Sequence, residues 1–287
     1  MQEKKRGRTH SRWLLPAALV LAGAAWFENF TLSTSTVTAA CAALPEAFSG
    51  LRIVQISDLH GRRFDAESRY LLELVRLQSP DLIALTGDLA DEFTDFSMLP
   101  PLLDGLTALA PTFYVTGNHE WVLSREKREV LFSMLDAAGV VRLQNEYRLL
   151  KKGQASIVLA GVDDPNGPYD QKRPAQLVRE IRQSRGRDAY ILMLSHRNDE
   201  LDLWANMGVQ TVLCGHGHGG IVRLPFVGAV FGTHLDLFPD YTAGLYQKGQ
   251  TNMIVSRGLG GSRKLPLRIG NRPEIVTVIL KAESGKV

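Results

Sequence analysis

The chain has 287 residues, 45% hydrophobic and 22% charged, a balance that supports a folded core of one large or two small domains and excludes a disordered or collagen-like chain. Its two cysteines, Cys41 and Cys214, are too few and too far apart for a disulfide framework. The net charge of +3 is concentrated at the start: Lys4, Lys5, Arg6, Arg8 and Arg12 against Glu3 give residues 1–12 a charge of +4, so the near-neutral remainder offers no electrostatic case for nucleic-acid binding.

Behind that basic segment runs an uncharged apolar stretch of 15 residues, Trp13–Phe27. As a helix it spans roughly 22 Å, short of the ~30 Å hydrocarbon core of a bilayer. Extension to Leu32 gives 20 residues and takes in Glu28. The stretch is expected to be a signal anchor over 13–32, with Trp13 and Trp26 near the two interfaces. A cleaved signal peptide is the competing reading, but the small residues Thr38, Ala39 and Ala40 lie far beyond the apolar run. A lipoprotein reading of Cys41 lacks the aliphatic residue at position 38, which is Thr38. No Lys or Arg follows the run before Arg52, so the charge asymmetry places the N-terminus in the cytoplasm and the body outside it, at the cell membrane. Residues 33–50 read as a small tether, and 51–287 as the folded domain.

From Leu51 the pattern becomes α/β. Strands are expected at 51–56, 81–86 and 112–116, separated by helices near 66–78 and 99–109, with a further helix near 125–138. These are βαβ-type units of about 30 residues with parallel strands. A hairpin follows at 147–150 and 157–161, then a polar loop at 163–175, a helix near 175–182 and a strand at 190–194. A short helix near 199–207 leads to a strand at 209–214. Strands at 243–247, 253–256 and 275–280 complete the series.

Five of these strands run directly into Asp, Asn or His. In α/β sheets, ligands bind beyond the carboxyl ends of the strands. Five of the seven histidines (His60, His119, His196, His216 and His218) lie just after a strand; only His10 and His234 do not. Asp58, His60, Asp88, Asn118, His196, His216 and His218 form a mixed oxygen and imidazole set suited to Mn, Fe or Zn. Seven side chains are too many for one ion and suit two ions sharing a carboxylate, an arrangement that activates water and clamps a phosphoryl group. Asp58 and His60 can point the same way if their segment stays extended, and so can His216 and His218.

Asp58-Leu-His60, Gly87-Asp88, Gly117-Asn-His-Glu120, Ser195-His196 and Gly215-His-Gly-His218 resemble, in order, the motifs of the calcineurin-like metallophosphoesterases, over about residues 51–280. Gly219-Gly220, Arg223-Leu-Pro225, Ser256-Arg-Gly-Leu-Gly260 and Asn271-Arg-Pro-Glu-Ile275 are similar to a membrane-associated bacterial phosphodiesterase branch. The resemblance implies a four-layer α/β/β/α sandwich of two mixed sheets. It implies that Asp58, His60, Asp88 and His218 hold one metal, and that Asp88, Asn118, His196 and His216 hold the second, with a metal-bridging hydroxide as nucleophile. It makes His119 a general acid or charge stabiliser and Asp91 the carboxylate that orients it. Gly217 stands where many members have a hydroxyl residue. Glu92 stands where phosphoprotein phosphatases have a phosphate-binding arginine, which weighs against protein phosphatase activity. Arg62 and Arg63 are either substrate-phosphate contacts or solvated, and the arginines at 173, 179, 182, 185 and 187 read as an exposed helix face.

The function expected is that of a membrane-anchored phosphodiesterase acting on a lipid or cell-envelope phosphodiester, with no nucleic acid and no obligate protein partner. The alternatives are a UDP-2,3-diacylglucosamine-type pyrophosphate hydrolase, a non-catalytic metal-binding scaffold at the membrane, and a metal-dependent nuclease. The loops at 163–175 and 230–241 are expected to shape the pocket.

Overall fold

The computed structural model describes residues 11–233, 235–261 and 268–283. The elements in chain order are α1 (Ser11–Phe30), β1 (Ser33–Cys41), β2 (Arg52–Ile56), α2 (Arg69–Leu77), β3 (Leu82–Thr86), α3 (Leu99–Leu109), β4 (Thr112–Val115), α4 (Asn118–Val122), α5 (Arg125–Ala137) and β5 (Val141–Arg142). They continue with β6 (Glu146–Lys152), β7 (Ala155–Gly161), α6 (Pro174–Arg185), β8 (Ile191–Leu194), α7 (Leu201–Asn206), β9 (Thr211–Cys214), β10 (Val222–Leu224), β11 (Gly228–Phe231), β12 (Gly244–Lys248), β13 (Thr251–Val255) and β14 (Glu274–Ala282).

Two mixed sheets carry the fold, ordered β1-β14-β2-β3-β4-β5 and β12-β13-β9-β8-β7-β6. Alternation along their strands feeds three apolar layers. Val54 and Ile56 of β2, with Ile83 and Leu85 of β3, pack against Leu71, Val75, Leu102 and Leu131 of the helices α2, α3 and α5. Ile53, Leu82 and Ala84, one residue out of phase, meet Leu159, Leu192 and Leu213 of the second sheet. The other face of that sheet, with Val158, Ile191 and Val212, packs on Leu177, Ile181 and Trp204 of α6 and α7. Strands buried on both faces read as almost unbroken apolar runs, which is why their sequences announced them. Gln55 faces the seam between the sheets, where its amide donates to Thr86 Oγ1 (3.0 Å) and the Cys214 carbonyl (2.8 Å).

The segment expected as a tether belongs to the fold. Only Thr31 and Leu32 separate α1 from β1, and β1 pairs in parallel with β14 from Ser33↔Glu274 to Cys41↔Ala282. Its Thr-rich sequence suits extended backbone, and its edge position makes apolar contact with the layer between the sheets at Val37, Ala39 and Cys41.

No helix among the described residues is long and apolar enough to cross a membrane, and residues 1–10 of the basic flank lie outside the described residues. Glu28 and Asn29 end the apolar run, and the last turn of α1 docks on the body. The Asn29 side chain donates to the Arg268 carbonyl (3.0 Å) and accepts from its N–H (2.8 Å). Arg62 donates to the Asn29 carbonyl, and Arg272 lies over the Phe27 ring at 4.4 Å.

Candidate metal centre

Strands β2, β3 and β4 are parallel neighbours in the first sheet, as β8 and β9 are in the second. Their carboxyl ends open onto one another and deliver the donors. Asp58, His60, Asp88 and His218 place ligand atoms within 4.8 Å of one another, as do Asp88, His196 and His216. Asp88 belongs to both groups. Its Oδ2 lies 3.6 Å from His60 Nε2 and 3.2 Å from His196 Nε2. Asn118 Oδ1 is 3.1 Å from His196 Nε2, and His218 Nε2 is 3.7 Å from Asp58 Oδ1.

Asp58, His60, Asp88, His216 and His218 all have left-handed backbone, with φ of 51°, 49°, 52°, 67° and 49°. The expected extended i, i+2 pairs are therefore not what aligns these side chains. The chain leaves each strand in a sharp turn, held by backbone bonds such as Asp58 N–H to Gly87 O (3.0 Å) and His60 N–H to Asp88 O (2.9 Å). Non-glycine residues seldom adopt this region, and such strain concentrates at functional sites. Glycine is required where the loops close on the carboxylates: a Cβ on Gly117 would lie 2.2 Å from Asp88 Oδ1, and one on Gly215 2.2 Å from Asp58 Oδ2. At Gly217 the room a larger residue needs is occupied by Asn198, whose Nδ2 would lie 2.6 Å from a Cβ.

A set of buried groups holds these turns. Glu120 accepts the backbone N–H groups of Asp88 (3.0 Å), Leu89 (2.8 Å), Ala90 (3.2 Å) and Gly117 (2.7 Å), tying the β3 and β4 turns together. The Thr86 carbonyl bonds His196 Nδ1 (2.9 Å), leaving Nε2 directed at Asp88 and Asn118. Asn271 donates to the carbonyls of His218 (2.9 Å) and Gly220 (2.6 Å). Leu259 and Gly260 donate their N–H groups to the carbonyls of Ser57 (3.0 Å) and Asp58 (2.6 Å). The tail motifs thus support the Asp58 and His218 turns, a role that their sequence did not reveal.

Burial and charge act together here. Burial pushes the His196 pKa down, but the adjoining Asp88 carboxylate reverses this and takes it up to about 10. Burial raises Asp58, whereas the histidines around Asp88, His196 first, overcome burial and hold Asp88 below the usual carboxylate range. His218 is pushed well down by burial, toward the neutral form that a metal requires. Both ring nitrogens of His60, and Nδ1 of His218, are buried without a hydrogen-bond partner. The His60–Asp88 and His218–Asp58 separations exceed hydrogen-bond length, yet they suit two donors flanking one divalent ion with bonds of about 2.1 Å. The residues fit two divalent ions.

His119 adjoins this cluster: its ring meets His60 edge-on at 4.7 Å between centroids, and its backbone N–H donates to Asp88 Oδ1 (2.8 Å). Asp91 Oδ2 lies 3.6 Å from His60 Nδ1. Arg62 is engaged with Asn29 and the Phe30 and Phe64 rings, and Arg63 with Asp95 and Ser97. Arg173, Arg179, Arg185 and Arg187 are exposed, as expected for that stretch. Arg182 differs, being half-buried and donating to the carbonyls of Arg187, Ala189 and Gly208. His10 and His234 lie outside the described residues.

Sequence reasoning missed Arg197. Its guanidinium forms a bidentate pair with the buried Asp164 (2.6 and 3.0 Å), and its Nη1 lies 3.1 Å from His216 Nε2. The partner comes from a loop 33 residues away in sequence, so the pairing left no local signal. Beside His216 a cavity of about 340 Å³ is lined by Asn198, Asp199 and the 232–242 loop, and a second, of about 230 Å³, by Asp163, Tyr169, Lys172 and Glu200.

A dimetal-type donor cluster at the meeting edges of two mixed sheets defines a metallophosphoesterase. The chain belongs to the calcineurin-like phosphoesterase family, whose sequence profile matches residues 51–220. It is 32% identical over 267 residues to the uncharacterized metallophosphoesterase YkuE of Bacillus subtilis, covering 90% of this chain and 89% of the relative. It is 31% identical over 234 residues to the phosphodiesterase YaeI of Escherichia coli, covering 80% and 82%. A Danio rerio transmembrane protein with a metallophosphoesterase domain is 26% identical, over 83% of this chain and 55% of that protein. The protein is a metal-dependent phosphoric ester hydrolase.

Proposed function

We propose that this hydrolase is a phosphodiesterase acting on a lipid-linked or cell-envelope phosphodiester, and that α1 holds it at a membrane. The observation that carries the reading is the convergence of two donor groups on one carboxylate, Asp88. In this reading Asp58, His60, Asp88 and His218 hold one divalent ion, and Asp88, Asn118, His196 and His216 hold the other, with Mn, Fe or Zn suited to such donors. When bound, the pair supplies an activated water and positive charge for the phosphoryl oxygens.

The chain's own residues do the remaining work. The Thr86 carbonyl fixes the tautomer of His196. Asp164 fixes the plane of Arg197, whose Nη1, beside His216 Nε2, is placed to reach a phosphoryl oxygen at the cluster. His119, oriented by Asp91, carries the proton for the leaving oxygen. Glu92 in place of a phosphate-binding arginine and the resemblance to a relative named a phosphodiesterase favour diesters over phosphoproteins. The apolar α1 and a relative named a transmembrane protein favour a substrate at a membrane.

The test uses the full chain, stripped of metal and reloaded with Mn²⁺. Turnover of a phosphodiester and a phosphomonoester with the same chromogenic leaving group is compared. Faster diester cleavage is expected, and faster monoester cleavage defeats the diester preference. Turnover of neither, with metal shown to be bound, redirects the site to pyrophosphate substrates.

A further inference from the structure

Beyond the metal cluster, several large apolar side chains are exposed together on the β10–β11 hairpin and the loop after it. Leu224, Phe226 and Val227 form the tip of the β10–β11 hairpin, and Phe226 is fully exposed. Leu235, Leu237 and Phe238 are more than 60% exposed on the loop that follows. Backbone bonds join the two: Phe238 N–H to Val230 O (2.9 Å) and Ile221 N–H to Phe231 O (2.8 Å). From Leu224 to Thr233 the sequence carries no charge. The one acidic residue between 234 and 239, Asp236, lines the cavity beside His216. The loop therefore shows polar groups to the cavity and apolar ones to the outside. Phe226, Leu235 and Phe238 have left-handed φ of 66°, 65° and 51°, a region where bulky side chains are uncommon.

This rim and α1 both bond to the segment at Arg268 and Ile269. Val222 bridges Ile269, and the Arg223 N–H donates to the Ile269 carbonyl at 2.8 Å. The neighbouring Arg268 holds Asn29 of α1. Residues 22–27 and Phe30 of α1 are largely exposed, in a helix whose apolar side chains are not confined to one face. Five cations stand at positions 4–12, immediately before its apolar run. Apolar loop tips, an apolar helix and a basic flank match the two halves of a bilayer interface, acyl chains and anionic headgroups.

We infer that the β10–β11 hairpin and the 235–238 loop insert into the surface of an anionic phospholipid bilayer alongside α1, so that the cavity beside His216 opens at the headgroup level. This rests on the membrane-substrate reading above. A phosphodiester in a headgroup then reaches the cluster without leaving the bilayer, and the 232–242 loop is both the wall of the cavity and its membrane contact.

The test places a polarity-sensitive fluorophore on Phe226→Cys in the full chain; Cys41 and Cys214 are buried and stay unlabelled. Lys151→Cys, on the exposed far end of β6, is the control. With vesicles of phosphatidylethanolamine and phosphatidylglycerol, the label at 226 is expected to shift to the blue and to be quenched by brominated lipid, and the label at 151 is not. A label at 226 that stays in water on vesicles carrying the chain overturns the inference, as does a chain that does not bind them. A blue shift that depends on protein concentration without vesicles also overturns it, assigning the rim to a second copy. Combining Leu224→Ser with Phe226→Ser is expected to leave turnover of a soluble diester unchanged and to lower turnover of a vesicle-embedded one about tenfold. If neither diester is turned over by the parent chain, the phosphodiesterase reading fails while the fluorescence result still decides the rim.

Discussion

The two sheets contribute unequally to the centre. The first supplies the oxygens, from Asp58, Asp88 and Asn118, together with the imidazole of His60. The second supplies only imidazoles, from His196, His216 and His218. Buried carboxylates and buried histidines are each costly alone, and bringing one set against the other offsets part of that cost. The centre is therefore a property of the seam. Asp88 is the group on which both sets converge, and Gln55 bonds across the same seam beneath it.

Removing the shared carboxylate breaks the comparison most completely. Asp88→Asn is expected to reduce turnover by roughly 10³-fold or more, because a metal contributes several kcal/mol of transition-state stabilisation. Metal analysis should show fewer than two ions per chain; two retained ions with parental turnover would show that the sheets do not meet through Asp88. Glu120→Gln tests the support on the first-sheet side alone. It keeps the shape but loses charge-assisted acceptance from four backbone N–H groups, and metal affinity should fall about 10–100-fold. Titration of the metal-stripped chain with Mn²⁺ measures this.

Arg197→Lys tests the second-sheet side. Lysine cannot reproduce the bidentate pair with Asp164, so KM for a small diester should rise about tenfold, with metal content unchanged. A fall in kcat together with metal loss would instead mean that Arg197 supports His216. The smallest effect lies away from the metals. Burial, with repulsion from Asp199, raises the Glu200 pKa to about 7, above its ordinary value near 4.5. The folded state therefore binds a proton that the unfolded chain releases. This contribution is complete below pH 4.5 and is lost as pH rises through about 7. Glu200→Gln should leave Tm nearly unchanged at pH 4.5 and raise it by about 2–4 °C at pH 8. An equal shift at both pH values would assign the effect to packing.

Much of this was legible in the chain. The expected strand 51–56 is β2 (Arg52–Ile56), and the expected strand 81–86 is β3 (Leu82–Thr86), because strands buried on both faces need apolar residues at nearly every position. β1 was not legible: Ser33-Thr-Ser-Thr carries no apolar signal, and only the presence of β14 makes it a strand. The β10–β11 hairpin was missed because its apolar tip reads equally well as a loop. The donor residues could be named from their positions after strands, but the way they converge could not. Extended spacing was expected to align Asp58 with His60, whereas turns with positive φ do so.

The sequence by itself determined where the strands buried on both faces lie, the chemistry available at their ends and the family to which these belong, because burial and ligand type are written residue by residue. Only the tertiary structure decided that 33–41 is a sheet edge, that Arg62 serves α1, that Arg197 rests on Asp164, and that the 224–238 rim stands beside the cavity. Each of these depends on partners distant in the chain, and no local pattern encodes which surfaces will meet.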